Sequence, residues 1–354
     1  MRGLRKYLTP FAPDQSGAVS VLFELGGIVV ICDAGGCTGN VCGFDEPRWF
    51  EQKSAIFSAG LRDMDAILGR DDRLVAKLAD VVQKIDATFV AVIGTPVPAV
   101  IATDYLALKR MSEKKIKLPI LIVDTDGMEL YDKGEEKAFL ELFKIFAIEK
   151  YQAEEDRIGI LGMTPQDVSD LDAADKIRDL YQQKYGKQAV CYCMGDGLEE
   201  IREASSVSRN IVVSPAALMT AKYLEKTFGT PYEIHYPLVD ELIFDMDYHG
   251  KKVLIVHQQV IGSAIREEIL KKAPDAQITV ASWFMVKPEL RKDGDLHLRD
   301  EEDYIQLVES GDFDVIYADR CMERMTPEFS GTFVDAVHFA VSGRLTEVRE
   351  QGCQ

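Results

Sequence analysis

The chain has 354 residues, 47% of them hydrophobic and 28% charged, with 13 Tyr, 16 Phe and two Trp; this is enough apolar mass for two or three packed domains and excludes wholesale disorder. Its 41 basic and 59 acidic side chains give a net charge of −18, a field that repels phosphate polymers and anionic lipid and argues against nucleic acid as a partner. Seven unevenly spaced cysteines in a chain of this length do not look like a disulfide framework and read as reduced thiols, some of them free to hold metal.

At the start, Arg2, Arg5 and Lys6 imitate the basic end of a signal peptide, but Pro10, Asp14 and Gln15 stand where its apolar region would begin. The longest apolar run, 17–32, is broken by Glu24 and the Gly26-Gly27 pair and falls short of the about 18 residues a spanning helix needs. A cytoplasmic protein with no membrane segment is expected. Strands are expected at 28–32, 89–93, 118–124, 157–163, 189–194, 210–214, 252–257, 277–282 and 313–317, most of them apolar on both faces. Helices with apolar positions three and four apart are expected at 71–85, 133–150, 167–184, 215–228 and 261–273. The alternation defines an α/β protein with parallel sheets flanked by helices. Charged, turn-rich segments at 150–157 and 240–252 divide it into three modules, 1–155, 156–245 and 246–354, with a loose tail from 343 that contains Cys353.

The most informative segment is Cys32-Asp-Ala-Gly-Gly-Cys37-Thr-Gly-Asn-Val-Cys42-Gly43, three thiols within eleven residues just past a buried strand, at the edge where open α/β sheets bind ligands. Gly35, Gly36, Gly39 and Gly43 let backbone amides approach a bulky inorganic centre. The C-x4-C-x4-C spacing is not that of a zinc ribbon. The alternative reading of the same residues is structural, with Cys32 in strand core, Cys37 in a loop and Cys42 at a helix start. Cys191 and Cys193, two apart on a strand, would share one face and are better read as core; Cys321 is a weaker candidate at the third module's ligand edge. Asp124-Thr-Asp126-Gly127 reads as a capping turn, and five scattered histidines lack ligand spacing. No phosphate loop, no full dinucleotide fingerprint around Gly195-Asp-Gly197 and no nucleophile elbow is present.

In their order along the chain these residues resemble the nitrogenase component 1 family, which includes nitrogenase molybdenum-iron subunits, their cofactor-assembly scaffolds and the dark-operative tetrapyrrole reductases. Cys32-Asp-Ala-Gly-Gly-Cys37 is similar to the family's His-Gly-Pro-x-Gly-Cys segment, and Phe44-Asp-Glu-Pro-Arg-Trp49 to the Glu-Pro-Arg of the chlorophyll-pathway reductases. Gly94-Thr-Pro-Val-Pro-Ala-Val-Ile-Ala-Thr-Asp104 resembles the segment that usually carries another cluster cysteine; 167–172, 198–202 and 221–231 resemble the second module, and Gly250-Lys-Lys-Val-Leu-Ile-Val256 the start of the third. The resemblance implies three Rossmann-like modules and a 4Fe-4S iron-sulfur cluster on Cys37, with Cys32 and Cys42 as additions that restore a three-thiolate site.

The family's first cluster cysteine is replaced near Pro10-Phe11-Ala12 and the third near Thr95. The family's nitrogen-reducing cofactor is held by a cysteine and a histidine, and the matching positions here are Ser214 and the Met325-Thr326 region. Gly36, Thr95, Ser214 and Met325 are therefore expected to line a substrate or cofactor pocket. The resemblance further implies an iron-sulfur oxidoreductase component that takes electrons from a separate ATP-dependent iron-sulfur reductase, reduces a substrate other than dinitrogen, and shares its cluster with a second copy or a paralogous subunit. The alternative is a non-catalytic scaffold or carrier for a metal cluster or tetrapyrrole.

Overall fold

The computed structural model describes residues 5–50 and 54–346. The first sheet contains β1 (Ile28–Ile31), β2 (Ala55–Ser58), β3 (Val90–Ile93) and β4 (Ile120–Val123) in the order β2-β1-β3-β4. The second contains β5 (Glu154–Leu161), β6 (Gln188–Cys191), β7 (Val207–Val212) and β8 (Tyr232–Ile234) in the order β6-β5-β7-β8. The third contains β9 (Lys252–Val256), β10 (Gln277–Ser282), β11 (Leu296–His297), β12 (Val315–Ala318) and β13 (Thr332–Asp335) in the order β11-β10-β9-β12-β13. Every pairing is parallel. In the first sheet Ile28 aligns with Ala55 on one side and Val90 on the other, which puts the ends of β1 and β3 at one edge.

Each expected strand is present within a few residues of its expected span, and each sheet is built around strands buried on both faces, such as Ile28–Ile31 and Val90–Ile93. The four strands that periodicity did not mark, β2, β8, β11 and β13, all lie at sheet edges and are mostly half-exposed, so they lack an unbroken apolar run. The expected helices are found at Asp71–Val82, Tyr131–Phe146, Ala173–Tyr185, Leu218–Phe228 and Gln259–Lys272. The stretch 17–32, whose first part received no assignment, contributes the end of a further helix, Asp14–Leu22, in which every residue is buried. With no face turned to water it shows no 3.6-residue alternation.

That buried helix packs directly on Tyr131–Phe146. A Cβ on Gly17 would lie 2.0 Å from the Tyr131 carbonyl oxygen, and one on Gly134 would lie 1.7 Å from the Asp14 carbonyl oxygen, so the two backbones touch where only glycine fits. Val19, Val21, Leu22, Phe139, Leu142 and Phe143 then join one apolar cluster that also takes Ile31 from the first sheet and Leu161 and Val212 from the second. Each of these larger side chains contributes about 1.5–3 kcal/mol by leaving water. A second cluster joins the second and third sheets through Ile160, Ile211, Val253 and Ile255. The expected loose tail is anchored at its start: Arg344 pairs with Asp335 and Asp319, and the Thr346 amide donates to the Ser169 carbonyl. Cys353 and Arg2 lie outside the described residues.

Gly134→Ala tests the contact. Alanine is the better helix former by about 1 kcal/mol, yet its methyl meets backbone that has no rotamer to escape into. The expected outcome of urea unfolding is a net loss of about 2 kcal/mol or more, and a stabilised variant would show that the helices do not touch in this way.

Candidate functional site

Beyond β1 the Cys32 amide donates to the Ile93 carbonyl at 2.8 Å, continuing the strand by one residue. Its side chain therefore falls in register with Ile28 and Val30, in the cluster formed with Leu74, Val75, Leu78 and Leu108 on the outer face of the sheet. It is 2% exposed, and burial pushes the thiol up to about 12. Asp33 follows, buried, and its carboxylate accepts from the Thr38 amide at 2.8 Å, the Thr38 hydroxyl at 3.0 Å and the Ser58 hydroxyl at 2.6 Å. The chain then turns at Gly35 with φ +119°, a conformation that glycine adopts without strain, and enters the short helix Gly36–Asn40 and a π turn, Val41–Asp45.

Cys37 sits on that helix, half-buried, against the apolar cluster on the opposite face from Cys32. The Thr95 hydroxyl, which donates to the Cys32 carbonyl at 2.6 Å, lies beside the Cys37 thiol. Burial and then Asp33 raise that thiol while Thr95 opposes them, and burial and then Glu46 raise Cys42. Nothing lies within 4 Å of where a Cβ would stand on Gly35, Gly36, Gly39 or Gly43, so the loop faces open space. Next to it an open cleft of about 1070 Å³ is lined by Phe11, Gln15, Gly43, Phe44, Asp45 and Phe339, among others. The side-chain oxygen of Gln15, a residue only 5% exposed, has no hydrogen-bond partner.

The structure thus brings Cys37, Gly36 and Thr95 to one edge, with Cys42 on the following turn, and puts Cys32 on the other side of the sheet. Among the described residues no three His, Cys, Asp or Glu side chains stand close enough to hold one metal ion. The described residues of one chain therefore do not supply a complete ligand set for an iron-sulfur cluster. Ser214 is buried at the end of β7, its hydroxyl accepting from the Ala216 amide at 3.2 Å, and Met325 is buried in the third module's core with Phe11 and Tyr304. Neither lines the cleft, and nor do Gly36 and Thr95, so none of the four residues expected in a pocket is in its lining. Cys191 and Cys193 do not share a face: the strand ends at Cys191, Cys193 takes φ +67°, and the two side chains enter different apolar clusters.

A buried ion network fixes the far end of the cysteine loop. Arg48, fully enclosed, donates to Glu46 at 2.7 and 2.8 Å, to Glu24 at 2.9 Å, to the Ser20 carbonyl at 2.7 Å and to the Cys193 carbonyl at 3.2 Å. Glu24 also accepts from the Gly195 amide at 2.7 Å. The loop is therefore tied to the second module.

A second polar cluster, which no spacing in the sequence announced, lies where the three modules meet. Tyr131, fully buried, contacts the Asp167 carboxylate through its hydroxyl and lies 3.0 Å from Nε2 of His338. Glu135 accepts from the Thr164 hydroxyl, and Asp132 accepts from the Met285 amide. His338 stacks on His257 with ring centroids 4.3 Å apart. Burial, then Asp167, holds Glu135 well above the usual carboxylate range, and burial raises Asp132 to about 6.

Three parallel sheets in sequence, a glycine-rich cysteine loop at the first sheet's edge and a cleft beside it define an α/β protein of the nitrogenase component 1 type. The family model for nitrogenase component 1 type oxidoreductases matches residues 14–241, and the chain belongs to that family. It is similar to the nitrogenase iron-molybdenum cofactor biosynthesis protein NifE of Clostridium pasteurianum, 29% identical over 181 residues, which are 50% of this chain and 38% of that one. It is also similar to the NifE of Bradyrhizobium diazoefficiens, 22% identical over 185 residues, 50% of this chain and 32% of the relative. The matches thus span well under half the length of these curated relatives. Among solved structures, nitrogenase Cp1 at pH 6.5 superposes with a TM-score of 0.70 at 12% identity, covering 97% of this chain and 91% of that one, and Cp1 at pH 5 with 0.68 at 15% identity, covering 96% and 85%. Among the described residues no helix is long and apolar enough to cross a membrane.

Arg48→Met leaves the buried Glu46 and the half-buried Glu24 without their cation and is expected to lower stability by about 3–5 kcal/mol in urea unfolding. An unchanged midpoint would remove the ion network from the account of the loop. Asp132 titrates near 6 folded and near about 3.9 unfolded, so between these values the native state binds more protons and its stability falls as pH rises. Asp132→Asn keeps an acceptor for the Met285 amide and is expected to flatten the fall in melting temperature between about pH 4 and 6. An identical slope in wild type and variant would assign that fall to other groups.

Proposed function

We propose that the chain is the iron-sulfur component of a nitrogenase-like two-component system, and that it acts on a substrate other than dinitrogen. The single observation carrying this is Cys37: a half-exposed thiol on a glycine-rich loop at the sheet edge, in the segment that resembles the family's cluster-binding motif, with open space before it. Cys37 and Cys42 are the thiolates that would hold the cluster; Cys32, whose thiol faces the opposite side of the sheet, is left out of the ligand set. A second copy or a paralogous subunit supplies the ligands one chain lacks. When bound, a 4Fe-4S cluster supplies one-electron transfer at low potential, with an ATP-dependent iron-sulfur reductase as the donor. The chain's own residues do the rest. Gly35, Gly36 and Gly39 keep side chains away from the inorganic face, Asp33 and Arg48 hold the loop from its two ends, and the cleft beside Phe44 and Asp45 admits the substrate. The absence of a phosphate loop from the sequence accords with ATP being used elsewhere.

A second reading, a scaffold that carries a metal cluster and hands it on, is favoured by the role of both curated relatives in iron-molybdenum cofactor biosynthesis. The two differ in the fate of the centre: a reductase component keeps it through turnover, whereas a carrier transfers it to an acceptor protein.

Iron and acid-labile sulfide in anaerobically purified protein test the proposal. About four of each per site are expected in wild type, with loss in Cys37→Ser and retention in Cys32→Ser. Protein that binds no iron after reconstitution would overturn the cluster reading, and iron lost equally in Cys32→Ser would overturn the ligand assignment.

A further inference from the structure

The junction of the three modules is built from side chains that need protons. Glu135 comes from the Tyr131–Phe146 helix beside the first sheet, Thr164 and Asp167 from the loop after β5, and His338 from the segment after β13. All four are at least 98% buried. Glu135 uses one oxygen for the Thr164 hydroxyl and Asp167 one for the Tyr131 hydroxyl. The other oxygen of each carboxyl is buried without any hydrogen-bond partner. Donors are therefore too few for two carboxylates.

Among the described residues no Lys or Arg makes up the difference, and the nearest imidazole, that of His338, lies 3.6 Å from Asp167 through Nε2. Arg48 acts on Glu135 through space, but its nitrogens are engaged by Glu46, Glu24 and the Ser20 and Cys193 carbonyls. Lys133 acts on Asp132, and Lys287 is paired with Glu136. The remaining titratable groups around the junction include Tyr131 and Asp132 on the same helix, Asp14 on the packed helix, the Cys193 thiol, Tyr236 beyond β8, and His338 and His257 from the third sheet's side. The His257 ring is held well below its ordinary range by burial and by His338, so it brings no positive charge at neutral pH.

We propose that this junction is a proton-operated latch: a proton retained on Glu135 lets the three modules close on one another, and its loss in alkaline solution parts the second module from the Tyr131–Phe146 helix. In the closed state the buried pair carries at most one negative charge. Loss of the proton leaves two buried carboxylates at the joint, each with an oxygen that has no donor, and water enters to solvate them. The latch uses no cluster ligand and does not depend on the proposed iron-sulfur centre.

Trp283 reports on the joint. It is 6% exposed, packs on Phe11, and adjoins Phe284, whose ring lies 4.9 Å from that of Tyr131 and 4.8 Å from that of His338. In a Trp49→Phe background it is the sole tryptophan. The experiment follows Trp283 emission and hydrogen exchange of the 131–146 and 164–169 segments from pH 6 to pH 10. A reversible red shift is expected, together with protection that falls about tenfold per pH unit beyond the intrinsic base dependence of exchange, at pH values where circular dichroism still shows a folded chain.

Glu135→Gln remains neutral at every pH and keeps an acceptor for the Thr164 hydroxyl; it is expected to abolish the transition. Asp167→Asn, which removes the other charge, is expected to do the same and serves if the first variant does not fold. A transition that persists unchanged in whichever variant folds, or that moves with Asp132→Asn instead, overturns the proposal. So does a wild-type junction that stays protected until the whole chain unfolds.

Discussion

The backbones of Asp14–Leu22 and Tyr131–Phe146 meet at Gly17 and Gly134, and the position of Tyr131–Phe146 depends on that contact. Brought this close, the helix presents a different set of side chains to each sheet. Phe139 and Phe143 enter the apolar cluster shared by the first and second sheets. Asp132 and Glu136 reach the Met285 amide and Lys287 in the third module, while Tyr131 and Glu135 reach Asp167 and Thr164 in the second. A bulkier contact would displace all of these partners together, because interiors at crystal-like density transmit a shift instead of absorbing it.

The cysteine loop is held in a different way. Its fixed points are polar: the three donors gathered by Asp33 at one end and the Arg48 network at the other. Between them the loop turns through glycines with open space where a side chain would stand. Its shape is therefore set by the chain itself. The same carboxylates disfavour thiolates, and all six described cysteines are raised by burial, with acidic neighbours adding to it. A cationic centre would reverse that balance, and its binding would release protons.

Much of this was legible in the residues. Strands buried on both faces announce themselves as apolar runs, and the cysteine loop through its glycines and its place after β1. Edge strands such as Thr332–Asp335 were not legible, because half-exposed positions carry mixed side chains. The Asp14–Leu22 helix was hidden for the opposite reason, having no polar face to give a period. The residues at 191 and 193 followed strand alternation only on the assumption that the strand continues, and it stops at Cys191. The junction of Tyr131, Asp167 and His338 joins positions about 36 and 171 apart in sequence, so only the packed fold brings them together.

The Asp14–Leu22 helix also carries a cost in time. Every residue in it is buried in the folded chain, and the helix that covers it begins 117 positions later. At about 5–20 residues per second, synthesis leaves it without that cover for roughly 6–23 s. A stretch holding Ala18, Val19, Val21 and Leu22 without cover for so long is the kind of segment that chaperones bind, and the rate at which ribosomes traverse the codons between the two helices then bears on how much of the chain reaches the folded state.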